Sequence, residues 1–67
     1  MNTAIIKNGV IYLDSDAGEE VLEGHIYNDS RGRFPDGTLI VTSFIRGSAE
    51  VDGKHFIITQ NTIYEIM

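Results

Sequence analysis

Arg31, Arg33 and Arg46 are the first residues in this sequence that could do chemistry. They are three of the five basic residues, they lie within sixteen positions, and Tyr27, Phe34 and Phe44 are close to them in sequence. A guanidinium offers a planar fork of donors that pairs with carboxylates and stacks on aromatic faces, so arginine is enriched at the centres of protein interfaces. Basic groups beside stacking aromatics are also how small barrels hold single-stranded nucleic acid. Charge separates the two readings. Ten acids face five bases, a net charge of -5, and such a surface repels a polyanion at range. A protein partner is therefore the favoured expectation, with Arg31, Arg33, Phe34 and Arg46 as contact residues. A small-barrel nucleic-acid binder using the same arginines is the alternative. Asp29 and Asp36 can offset the loop arginines locally.

The acids form the second set. Asp14, Asp16, Glu19, Glu20 and Glu23 place five carboxylates in ten residues. A calcium loop of the EF-hand type starting at Asp14 would need an oxygen ligand at its fifth position, Gly at its sixth and Glu at its twelfth. Gly18, Glu19 and His25 stand there instead. Such a stretch can imitate the phosphates of a nucleic acid and occupy a basic groove of another protein, a third expectation; most charge runs are simply solvated faces.

Other chemistry finds little material. His25 and His55 could join Asp14, Asp16 or Glu23 around a metal only if folding gathered them, and no ligand spacing demands it. Ser15, Ser30, Ser43 and Ser48 do not sit in a strained nucleophile-elbow motif, and the glycines are scattered singly at turns rather than clustered to cradle a phosphate. The expectation is a protein that is not an enzyme, with no catalytic residue, cofactor or metal.

The elements that must position these residues are strands. Asn8-Gly9 and Asp52-Gly53 each stand between apolar runs, the chemistry of a two-residue type I′ hairpin turn. Gln60-Asn61 is a weaker version, and Pro35-Asp36-Gly37 reads as a turn with Pro second and Gly in the left-handed place. Between the turns the residues are β-branched or aromatic, as in Ile5, Ile6, Val10, Ile11, Tyr12, Ile57, Ile58 and Tyr64. Strands are expected at about 3–7, 10–14, 21–28, 37–46, 49–51 paired with 54–59, and 62–66. Asp16 and Glu19 have capping-box spacing and Gly24 could end a helix, so 16–23 is read as a loop or one short helical turn. Gly47 is expected to bend the longest strand so that the sheet curls on itself. The architecture expected is an all-β antiparallel meander of five to six strands, curled into an SH3-like or open barrel.

At 67 residues the chain is one domain, 1–67, and a chain this short has a marginal core. It has no cysteine, so disulfides and thiolate zinc sites are excluded, and self-association could complete the core. The "TIYEIM" strand ending at Met67 is read as an edge for homodimerisation by sheet extension. No signal-peptide pattern or membrane-length apolar run occurs, so a cytoplasmic location is expected.

Around "RFPDGTLIVTSFI" and "FIITQNTIYEI" the chain resembles small accessory proteins of tailed phages and prophages of enteric bacteria. The shared features are an aromatic before Asp-Gly-Thr, an alternating strand ending in Thr-Ser, and a C-terminal Thr-x-Tyr strand, over roughly the last half of the chain. The resemblance implies a non-catalytic protein that binds a host factor or defence system; it assigns no functional residue.

Overall fold

In the computed structural model, which describes Met1–Met67 throughout, the chain is all-β, with six strands in one sheet and no helix. The strands are β1 (Asn2–Asp14), β2 (Glu19–Tyr27), β3 (Thr38–Val41), β4 (Gly47–Val51), β5 (Lys54–Ile58) and β6 (Thr62–Ile66). Their spatial order is β3-β2-β1-β6-β5-β4. Two antiparallel meanders, β1-β2-β3 and β4-β5-β6, are joined by a parallel pairing of β1 with β6. The antiparallel meander expected from the sequence is thus present twice, and the seam between its copies runs the other way.

β6 is therefore central, between β1 and β5, and is not the free edge expected for "TIYEIM". The edges are β3 and β4, which are consecutive in the chain. Six flat strands would hold their edges about 24 Å apart. The connection Thr42–Arg46 reaches at most roughly 21 Å between Val41 and Gly47. The sheet must curl, and the connection shows how. Thr42 and Ile45 donate backbone N–H groups to Leu22 and Glu20 of β2, and Arg46 then donates to Ile58 of β5. The strand expected over 37–46 therefore ends at Val41, and the bend expected at Gly47 is replaced by this crossing over Thr42–Arg46, with Gly47 opening β4. Ala4, Ile6, Leu22, Ile26, Ile40 and Tyr64 form the core inside the curl, with Ile45, Ile57 and Ile66 packed against it.

Asp52-Gly53 makes the expected hairpin, both residues at positive φ (51° and 77°) and Val51 opposite Lys54. Asn8-Gly9 does not. β1 continues through it, and Lys7 faces His25 while Val10 faces Glu23, so Asn8 and Gly9 together oppose Gly24. This is a β-bulge with its first residue, Asn8, in the left-handed region at φ 55°. Asn tolerates that region better than most residues. We expect Asn8→Gly to be neutral or slightly stabilising and Asn8→Ala to cost about 1 kcal/mol, measured by urea denaturation.

The segment 16–23 begins with the expected loop, a single turn, but it is shorter than expected and differently capped. Asp14, not Asp16, caps the turn: its Oδ1 accepts from the backbone N–H of Asp16 (3.0 Å) and Ala17 (3.4 Å). Gly18 N–H reaches Asp14 O at 2.7 Å, and Gly18 at φ 69° then hands the chain to β2. One tight turn forms, and Glu19 onward is strand. The Pro35 turn forms one place along from the expected register: Thr38 N–H donates to Pro35 O, so Pro35 is first and Gly37, at φ 88°, third. Gln60-Asn61 joins β5 to β6 without positive φ.

Candidate functional site

The loop 28–37 leaves the Tyr27 end of β2 and is organised around one carboxylate. The Asp29 side chain is 1% exposed. Its Oδ1 accepts from Asn2 Nδ2 at 2.7 Å and from a terminal guanidinium nitrogen of Arg33 at 3.2 Å. Its Oδ2 accepts from Arg33 N at 2.7 Å and Arg33 Nε at 3.1 Å. The hydrogen bonds from Arg33 and Asn2 hold the Asp29 carboxyl well below the usual carboxylate range, and the same contact with Asp29 raises the Arg33 guanidinium. Ser30 ties this loop to β1: its hydroxyl donates to Asn2 Oδ1 and accepts from Thr3 N–H. Asn28 N–H donates to Asp36 Oδ1 at 2.8 Å.

Of the four arginine-tip residues expected to contact a partner, Arg33 is thus committed to the loop's own architecture. Its guanidinium also lies over the Phe34 ring, 5.3 Å from the centroid, and Phe34 is 36% exposed. Arg31 has no carboxylate within salt-bridge distance and lines an open depression of about 330 Å³ with Met1, Asn2, Ser30 and Asn61. Arg46 is elsewhere. It pairs with Glu19 at 3.7 Å, at the opposite end of β2 from the loop. Nine strand residues separate those ends by roughly 26 Å. The arginines therefore form a loop pair and a distant third member, not one groove.

The acidic residues are dispersed as well. Asp14 caps its turn, Glu19 meets Arg46, and Glu23 Oε1 accepts from the Tyr12 hydroxyl at 3.3 Å. Desolvation, the Glu23 charge and that hydrogen bond push the Tyr12 hydroxyl above its ordinary value. Strand alternation puts Glu19 and Glu23 on one face and Glu20 on the other. The histidines lie apart. His25 Nδ1 is 3.1 Å from Gly37 O, and His55 Nε2 is 3.2 Å from Glu50 Oε2 on β4.

Sequence reasoning missed a feature of β1. Val10, Ile11, Tyr12 and Leu13 are 59%, 45%, 41% and 60% exposed. Ile11 and Leu13 share a face with their partners Leu22 and Glu20, while Val10 and Tyr12 share the other with Glu23 and Val21. Both faces of this strand segment are therefore apolar and open. The signal was present as the unbroken run "VIYL". Such a run reads as a strand buried on both sides. β6 explains why it is not: it accompanies β1 only as far as Ile6, whose carbonyl accepts from Met67 N–H. Beyond the bulge, β1 has a neighbour on one side only, the β2 strand, which Thr42 and Ile45 hold on its far side; this β1–β2 hairpin arm carries the tight turn at its tip and leaves the other edge of β1 bare. Leu39 and Val41 on edge strand β3 are exposed on the face that carries Val10 and Tyr12.

Set against known protein families, characterised proteins and solved structures, the chain matches none of them.

Proposed function

We propose that this is a non-catalytic protein-binding module whose contact surface is the β1–β2 arm. The observation that carries the reading is the exposure of four consecutive large apolar residues, Val10–Leu13, on both faces of one strand. Scattered exposed apolar residues need no explanation, but a contiguous apolar patch marks a surface that another molecule covers. The 28–37 loop serves this function as a fixed platform, with Arg31 and the Phe34 face as a secondary contact region. In keeping with the resemblance noted above, the proposed partner is a host protein met by a phage-derived factor.

The test is affinity capture from enteric bacterial lysate with three versions of the protein, each checked for folding by circular dichroism. The double variant Val10→Asp with Leu13→Asp is expected to capture its partner at least about tenfold less well, as for loss of central apolar contacts. Arg31→Glu, at the other end of β2, is expected to change capture by about threefold or less, as rim charges do. Undiminished capture by the arm variant together with loss in Arg31→Glu would move the site to the loop.

A further inference from the structure

We propose that the arm binds an extended segment of another protein, alternating apolar and basic residues, which adds as a strand along the unpaired edge of β1 at Ile11 and Leu13. This deepens the protein-binding reading and rests on it, naming the partner's conformation and chemistry.

The backbone fixes which edge is open. Glu20 and Leu22 direct their carbonyls away from β1, to Ile45 N–H and Thr42 N–H, and Leu22 N–H also goes to Thr42 Oγ1. Peptide groups in an antiparallel ladder alternate in direction along each strand. Ile11 and Leu13, the partners of Leu22 and Glu20, therefore turn their N–H and C=O away from β2. On that side β6 has ended at Ile66, opposite Ile6. Two donors and two acceptors thus face outward along a strand whose side chains are apolar on both faces. That is the template for strand addition.

Charge selects the occupant. The arm carries Asp14, Asp16, Glu19, Glu20 and Glu23; β1 and β2 hold a single lysine or arginine, Lys7, whose ammonium lies over Tyr27 at 4.7 Å, and Arg46 is already paired with Glu19. A second copy of the chain would bring an equally acidic arm alongside, placing like charges together. An incoming strand with Lys or Arg between its apolar residues meets complementary charge on either side of the edge.

The test titrates the uniformly ¹⁵N-labelled full chain with an eight-residue peptide of alternating valine and lysine, and separately with its valine–glutamate counterpart. The valine–lysine peptide should shift the Ile11 and Leu13 amide resonances and slow their exchange with solvent. Its affinity should fall with added salt, and the valine–glutamate peptide should bind at least about tenfold more weakly. Leu13→Pro removes an outward N–H without touching the β1–β2 ladder, a place where strands tolerate proline, and should also weaken binding at least about tenfold. Glu20→Lys with Glu23→Lys should do the same while leaving the backbone edge intact. Binding that survives Leu13→Pro yet is lost in the Val10→Asp, Leu13→Asp chain would overturn strand addition and leave the arm as a contact surface. Failure of both peptides, with a doubled mass in solution that Leu13→Pro abolishes, would give the edge to a second copy and overturn the basic partner. Shifts confined to residues 28–37 would overturn both this proposal and the arm.

Discussion

Gly24→Ala is expected to destabilise the fold by about 3 kcal/mol, at the upper end for overpacking a core. A Cβ at Gly24 would lie 2.5 Å from Ile6 Cγ2, 3.0 Å from Lys7 O and 3.2 Å from Gly9 Cα. Ile6 is fully buried and cannot swing aside, and the other two neighbours are backbone at the bulge. Gly24 and Gly9 thus let β1 and β2 approach closely where two residues oppose one. For a domain of this size the change corresponds to a fall in melting temperature of roughly 12–24 °C. Gly47→Ala is the matched control. A Cβ there meets nothing within 4 Å and its φ is negative, so it should be neutral or stabilise by up to about 1 kcal/mol. Paired urea titrations measure both, and equal midpoints for the two variants would refute the close-approach account.

Asp29→Ala is expected to cost about 2–3 kcal/mol, the range for removing a charged hydrogen-bond partner from a satisfied cluster. The substitution removes a buried carboxylate that accepts from Asn2, Arg33 N and two guanidinium nitrogens. It leaves the buried Asn2 amide short of an acceptor and releases Arg33, so the loop loosens as the fold weakens. A pH dependence follows. Asp29 ionises more readily in the folded chain than when unfolded, so the folded state favours its charged form. The stability this adds is fully present above the unfolded carboxylate pKa of about 4 and is lost as pH falls through the lower folded value. The wild-type protein should therefore lose stability below about pH 4, where Asp29→Asn should show a shallower decline. Parallel slopes for the two proteins through that range would place the acid sensitivity in other carboxylates.

The fold was legible where local chemistry allows one outcome. Asp52-Gly53 between β-branched runs made the hairpin it encodes. Asn8-Gly9 is the same signal with a different result, because a left-handed Asn serves a bulge as well as a turn. What decides between them is whether the chain after Gly9 pairs with the residues before Asn8 or with a distant strand, and that information lies in residues 19–27. Gly24 read as a helix stop because nothing local announces that Ile6 will press against it. The loop arginines were legible as a pair balanced by nearby acid, and Asp29 does hold Arg33. Their separation from Arg46 was not legible, since proximity in sequence says nothing about opposite ends of a strand. The arm was hidden for the same kind of reason: "VIYL" is exposed only because a strand some fifty residues later ends opposite Ile6.

The parallel seam has a consequence for how the protein is made. β1 is the first strand to leave the ribosome and β6 the last, yet they are neighbours at the centre of the sheet, Asn2 opposite Thr62. Thr62–Ile66 must emerge before the middle of the sheet can close, and contacts so far apart in sequence slow folding because the loop entropy is lost before they form. During synthesis the β1–β2–β3 meander waits with the whole outer edge of β1 bare, from Asn2 to Asp14. A nascent chain of this kind is exposed to chaperones and to pairing with neighbouring chains until β6 docks. The same arrangement makes the domain intolerant of losing Thr62–Ile66: removing them deletes a central strand rather than an edge.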